Sequence, residues 1–112
     1  MDSNRQLKVA KLLQKEIAAI ILRESKNYSS TGMITVTRVR VTRDLGLSRI
    51  QLSFFGVPNK EDALKKIREN SWAIRKSLGA MIRNQVRIIP ELTFFDDDSL
   101  DYIENIDNLL KL

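Results

Sequence analysis

Arg5, Lys8, Lys11 and Lys15 recur at steps of three, three and four, so on a helix they project from one stripe. The chemistry open to four aligned cations is neutralisation of a polyanion. A solvated face is the ordinary reading of a charge run, but such faces mix signs to gain pairs one turn apart. Only Glu16 interrupts the cations between residues 5 and 23, and an uncompensated stripe suits phosphates. In a second set, Lys65, Arg68, Arg75, Lys76 and Arg83 surround Trp72, the sole tryptophan. Cations interleaved with an aromatic can hold backbone phosphates while a base stacks on the indole. The alternative, Trp72 packed against a neighbouring element, stays open, because tryptophans are mostly buried on average. A third set, Arg38, Arg40, Arg43 and Arg49, falls where a hairpin is expected, where some could simply protect a strand edge.

Other chemistry is scarce. The chain has no cysteine and no histidine, which removes disulfides, thiolate metal sites, thiol nucleophiles and imidazole acid–base catalysis. Gly32, Gly46, Gly56 and Gly79 form no phosphate-cradling loop, so nucleotide hydrolysis is not indicated. The triplet Asp96, Asp97, Asp98 is read as the lead into a helix rather than as a magnesium site, because neighbouring carboxylates in an extended chain point apart. No enzyme, no cofactor and no metal are therefore expected. The charge is also unevenly spread. Residues 1–87 carry 18 Lys and Arg against 7 Asp and Glu, a balance of +11, whereas residues 88–112 set Lys111 against 7 acids, a balance of −6. A basic body with an acidic end suggests a polyanion partner for one surface and a second surface kept away from it.

Six or seven elements must position these groups. Val9, Leu13, Ile17, Ile20 and Ile21 predict a helix from Ser3 to about Ser25, capped by Asp2 or Ser3, and residues 25–32 then read as a loop. Residues 33–43 and 49–55 are β-branched and alternating, and the Gly-containing link at 44–48 predicts an antiparallel hairpin. In the first strand Ile34 and Val36 share one parity, Val39 and Val41 the other. Either both faces are partly covered or a bulge near Thr37 shifts the register, and the bulge is favoured. Leu64, Ile67, Ser71, Ile74, Leu78 and Met81 or Ile82 predict a helix over about 61–84, capped by Asn59 and broken near residues 69–73. Residues 86–95 read as a third strand, with Pro90 at its start or on an edge. Leu100, Ile103, Ile106 and Leu110 predict a last helix capped by Asp98 or Ser99. One domain spanning 1–112 is expected. No stretch is long and apolar enough for a membrane span, and Lys8, Lys11, Lys15 and Glu16 interrupt any signal-peptide core, so a cytoplasmic location is the default.

Three stretches in one order, residues 5–22, 34–54 and 73–99, resemble the bacterial ribosome-binding factor A family. The most specific positions are Val39, Val41, Asp44 and Leu45 at the hairpin, Ile74 and Arg75 on the long helix, and Pro90, Leu92, Phe94, Asp97 and Ser99 at the end. The resemblance implies an α+β, type II K-homology-like fold: a three-stranded mixed sheet covered by helices on one face, plus a short C-terminal helix. It also implies a monomeric, non-catalytic factor that binds the small ribosomal subunit and its ribosomal RNA during late maturation, and that is associated with growth in the cold. The family's interhelical kink carries an A-x-G sequence, and here Asn70, Ser71 and Trp72 stand at the corresponding positions. Expected RNA contacts are Arg5, Lys8, Lys11, Lys15, Arg40, Arg43, Arg49, Lys65, Arg68, Trp72, Arg75, Lys76 and Arg83. The competing readings are a K-homology module acting on non-ribosomal RNA and a protein-interaction adaptor.

Overall fold

In the computed structural model, which describes residues 3–97, the elements run α1 (Asn4–Tyr28), β1 (Met33–Val41), β2 (Leu47–Phe55), α2 (Lys60–Glu69), α3 (Ser71–Ile82) and β3 (Glu91–Asp96). The expected last helix, with its cap at Asp98 or Ser99, lies outside the described residues. The sheet order is β1-β2-β3, with β1 and β2 antiparallel and β2 and β3 parallel, so the sheet is mixed. A parallel partner needs a crossover connection, and α2 with α3 supplies it. This is the expected α+β arrangement.

The two-sided pattern of β1 is resolved by a bulge. Register shifts between Val36 and Arg38, leaving Thr37 as the extra residue. Ile34, Val36, Val39 and Val41 therefore all align with Phe54, Leu52, Ile50 and Ser48 of β2 on one face. Leu92 and Phe94 of β3 join them by pairing with Ser48 and Ile50. Onto this face pack Leu13, Ile17, Ile20 and Ile21 of α1, Ala63 and Ile67 of α2, and Ile74, Leu78 and Ile82 of α3, all buried. The other face bears no described helix.

Three expected boundaries shift, and one position of the buried helical stripe changes. Helix α1 runs three residues past Ser25, because Tyr28 folds into the core and its hydroxyl donates to Glu24 at 3.0 Å. On α2 and α3 the buried stripe uses Ala63 where Leu64 was expected, and of the two alternatives Met81 and Ile82 it uses Ile82; Leu64 is partly buried and Met81 exposed. Strand β2 begins at Leu47, two residues early. The third strand begins at Glu91 rather than residue 86, since the amides of Gln85 and Val86 are still bonded to the carbonyl of Ile82. Pro90, buried, stands just before the strand.

Capping follows the side chains. Ser3 accepts from the Gln6 amide while the Gln6 side chain accepts from the Ser3 amide, a reciprocal capping box. Asn59 accepts from the Asp62 amide at 3.0 Å, and Asp62 in turn pairs with Lys66.

The break between α2 and α3 is present without the family's A-x-G sequence. Asn70 adopts φ −99° and ψ 8°, outside the helical well, and its carbonyl accepts from the amides of Ala73 and Ile74 to start α3. Its side-chain amide donates to the Tyr28 hydroxyl at 2.9 Å, so the kink is tied to the end of α1. Burial raises the Tyr28 phenol above its ordinary pKa, so the neutral form bridges Glu24 and Asn70, and whatever stability it adds is lost only as pH rises through that raised value. Tyr28→Phe, which keeps the buried ring and deletes the bridge, should cost about 1–2 kcal/mol. A urea titration checks this; an unchanged midpoint would show the kink held by packing alone.

Candidate nucleic-acid interface

The hairpin turn is built first, because the cations gather around it. Asp44 Oδ1 accepts from the Thr42 hydroxyl at 2.7 Å and the Gly46 amide at 3.0 Å, and these donors lower its pKa, the Gly46 bond foremost. Leu45 takes φ +62°, a conformation unfavourable for a branched residue, and buries its side chain in return. The Glu91 amide donates to the Gly46 carbonyl at 2.9 Å, fastening the start of β3 to the turn.

On one side of the turn lies a recess of about 430 Å³. Arg5 and Lys8 of α1, Arg43 of the turn, and Arg87 of the 83–90 connection line it, with Asp44 as the acid among them. Gln6 anchors α1 there by donating to the Val41 carbonyl at 3.0 Å. On the other side opens a groove of about 840 Å³, bounded by Trp72, Arg75 and Lys76 of α3 and by Gly46, Ile89 and Glu91. A shallower depression holding Arg43, Asp44, Gly46 and Glu91 joins the two. The result is one basic end of the molecule, with an indole at its rim.

Trp72 is 70% exposed, which decides the alternative left by the sequence: the ring is not packed into the core. It stands on the second residue of α3, beside the kink at Asn70 and Ser71. Lys76 lies one turn on and Arg83 two further, both exposed, so the two share a stripe with Trp72.

Among the expected contact residues, Arg68 and Arg75 donate to main-chain carbonyls. Arg68 donates through Nε and Nη2 to the Phe94 carbonyl at 3.1 and 2.9 Å, with its guanidinium 6.0 Å from the centre of the Phe95 ring. Arg75 donates to the carbonyls of Pro90 and Ile89 at 3.1 and 2.6 Å. Arg68 thus clamps the edge strand β3 and Arg75 the segment just before it, on the side where no described strand pairs with them. Any phosphate they meet shares them with the main chain.

The other expected residues divide by surface. Lys11 and Lys15 continue the exposed face of α1 beyond the recess, and Lys65 is exposed on α2. Arg40 and Arg49 sit directly opposite one another across β1 and β2, on the sheet face away from the helices, with Arg38 beside them. The structure thus separates the sheet arginines from the helical cations. Arg87 was missed because residues 86–90 read as strand. A basic residue in a stretch ending at a proline was the signal that could have found it.

Comparison with known proteins gives one result throughout. A family model described as Ribosome-binding factor A matches residues 5–110. The Ribosome-binding factor A of Cytophaga hutchinsonii is 43% identical over 111 residues, covering 99% of this chain and 84% of that protein. That of Flavobacterium psychrophilum is 42% identical, covering 98% and 85%. Among solved structures, the crystal structure of ribosome-binding factor A from Thermus thermophilus superimposes with a TM-score of 0.71 at 18% identity, covering 83% of this chain and 97% of that one. Coordinates of the Thermus thermophilus protein fitted into a cryo-EM map of its complex with the 30S subunit give 0.60 at 17% identity, covering 85% and 93%.

Proposed function

The chain belongs to the ribosome-binding factor A family, and on that premise we propose that it is a maturation factor of the small ribosomal subunit, holding ribosomal RNA at the basic end around its hairpin turn. The observation that carries the surface is the convergence of Arg5, Lys8, Arg43 and Arg87 with Lys76 and Trp72 on that turn, drawn from separate segments of the chain. Phosphate contacts from the cations set affinity and orientation, and the exposed indole stacks on an unpaired base or wedges beside a helix end. The fold supports this use. Arg68 holds β3 against α2, Arg75 holds the segment before β3 against α3, and the Asp44 network holds the turn, so the cations project from a braced frame.

The mechanism is occupancy. By holding one RNA conformation and covering its site, the protein favours maturation and blocks early use of the subunit, with no bond made or broken. It acts as a monomer in the cytoplasm, without a cofactor, and its service is greatest in the cold, where misfolded RNA escapes its traps slowly. Among the described residues no helix is long and apolar enough to cross a membrane.

Sedimentation of the tagged protein across ribosomal fractions tests the assignment. Co-migration with immature small subunits is expected, and enrichment of messenger or transfer RNA after cross-linking would replace it with a general RNA-binding role. Trp72→Ala should lower affinity for small subunits roughly tenfold, in line with about 1–3 kcal/mol for one stacked base. Its stability should be unchanged, because the ring is exposed. Full affinity in this variant would remove Trp72 from the interface.

A further inference from the structure

The recess of about 430 Å³ beside the hairpin turn joins two kinds of surface. Val9 of α1, Leu45 of the turn and Val86 of the 83–90 connection line it with apolar side chains that are buried or partly buried. Ile88 adds a fourth, 53% exposed although it belongs to no helix or strand. Arg5, Lys8, Arg43 and Arg87 line it too, all exposed, and among the described residues the side chains of these four make no ion pair and no hydrogen bond. A site for phosphates alone needs the cations but not the apolar lining. A site for an apolar side chain needs the lining but not the cations. A nucleotide uses both, and the volume falls in the range of small-ligand pockets, too small for a double helix.

The acid in the recess points the same way. Asp44 Oδ1 is taken by the Thr42 hydroxyl and the Gly46 amide, whereas Oδ2 receives no side-chain donor among the described residues. Those donors lower the Asp44 pKa, so the group is a carboxylate at neutral pH, and the turn fixes its position. A carboxylate among cations repels a phosphate and attracts an N–H. Its natural neighbour is the edge of a base that carries an amino group.

We propose that the recess takes one unpaired nucleotide of the bound RNA, with the base on Val9, Leu45, Val86 and Ile88, the flanking phosphates on Arg5, Lys8, Arg43 and Arg87, and an amino group of the base donating to Asp44. The inference rests on RNA being held at this end of the molecule. It adds that the protein reads a base there. Cytosine, which presents an N4 amino group, is favoured over uracil, which presents an oxygen at the same place. Trp72 stands in the separate groove, so the two base contacts flank the hairpin turn.

NMR titrations of the full chain with labelled methyl groups test this, with four probes: tetracytidylate, tetrauridylate, an abasic ribose-phosphate tetramer and cytidine 5′-triphosphate. The methyls of Leu45, Val86 and Ile88 should move upfield with tetracytidylate, since a base stacked over them imposes its ring current, and stay in place with the abasic tetramer. Tetracytidylate should bind at least about fivefold more tightly than tetrauridylate. Asp44→Asn keeps one oxygen for the turn and replaces the other by an NH2 group, so it should remove that preference. Methyls that do not move overturn the proposal, and so does equal affinity for the abasic tetramer. Cytidine 5′-triphosphate binding as tightly as the tetramer would make the ligand a free nucleotide and overturn the assignment to RNA. If Asp44→Asn loosens the turn, the methyl shifts and the ratio of the two affinities in the unaltered chain decide. Unmoved methyls in a protein that still co-sediments with small subunits would sink the recess alone, whereas upfield shifts without co-sedimentation would sink the ribosomal reading and leave the recess standing.

Discussion

Replacing Arg5, Lys8, Arg43 and Lys76 together by alanine is expected to weaken binding to small ribosomal subunits by roughly 100- to 1,000-fold at physiological salt, while leaving the fold intact. Each phosphate left without its cation lowers the slope of log affinity against log salt by about 0.9 for a duplex and 0.7 for a single strand, and four such phosphates compound to that range. All four side chains are exposed, so their removal leaves no cavity. Titrations at several salt concentrations provide the check: the slope should flatten by about 3, and the two proteins should converge at high salt. The same substitution at Arg68 and Arg75 would be ambiguous, because they also hold carbonyls of β3 and of the segment before it. An unchanged slope for the four-residue variant would place the RNA on another surface.

Gly32→Ala should be the most damaging single-methyl change in the domain, lowering stability by about 2–4 kcal/mol. Gly32 has φ +88°, and a Cβ built there would lie 2.5 Å from the carbonyl carbon of Gly56 and 2.7 Å from the carbonyl oxygen of Phe55. The obstacle is backbone, which cannot swing aside as a flexible side chain can. Gly56 also has positive φ, so two chain reversals meet at the end of the hairpin where Met33 pairs with Phe55. Thermal unfolding of the variant should show a lowered midpoint, with the slack taken up between residues 29 and 33. Gly46→Ala is a useful contrast: a Cβ there meets only the Asp44 carboxylate at 3.4 Å. If Gly32→Ala and Gly46→Ala unfold at the same temperature, the close approach at Gly32 is not what shapes this end of the sheet.

Much of the architecture could be read from local pattern. The spacing of Val9, Leu13, Ile17 and Ile20 sets the buried face of α1, and the parity change between Val36 and Val39 marks the bulge at Thr37. Poor helix propensity around Asn70 marks the break between α2 and α3. These signals are local, depending only on side chains a few residues apart, and so they survive in one dimension. The boundary errors came where a distant partner decided. Tyr28 extends α1 because Asn70, 42 residues on, hydrogen-bonds its hydroxyl. Residues 86–90 carry β-branched side chains yet stay outside the sheet, because β3 starts where the Glu91 amide reaches Gly46.

The interface divides in the same way. Composition and charge order alone determine that the chain is basic in its body, acidic at its end and without thiol or imidazole chemistry, and the helical repeat of Arg5, Lys8, Lys11 and Lys15 is likewise complete in the sequence. Tertiary structure decides which cations act together. It brings Arg43 and Arg87 beside Arg5 and Lys8, commits Arg68 and Arg75 to main-chain carbonyls, exposes Trp72, and sends Arg40 and Arg49 to the opposite side of the sheet. Charge is a property of each residue and can be counted along the chain. A shared surface depends on strand order, on a one-residue bulge and on where a crossover returns, and those are set by contacts between residues far apart in sequence.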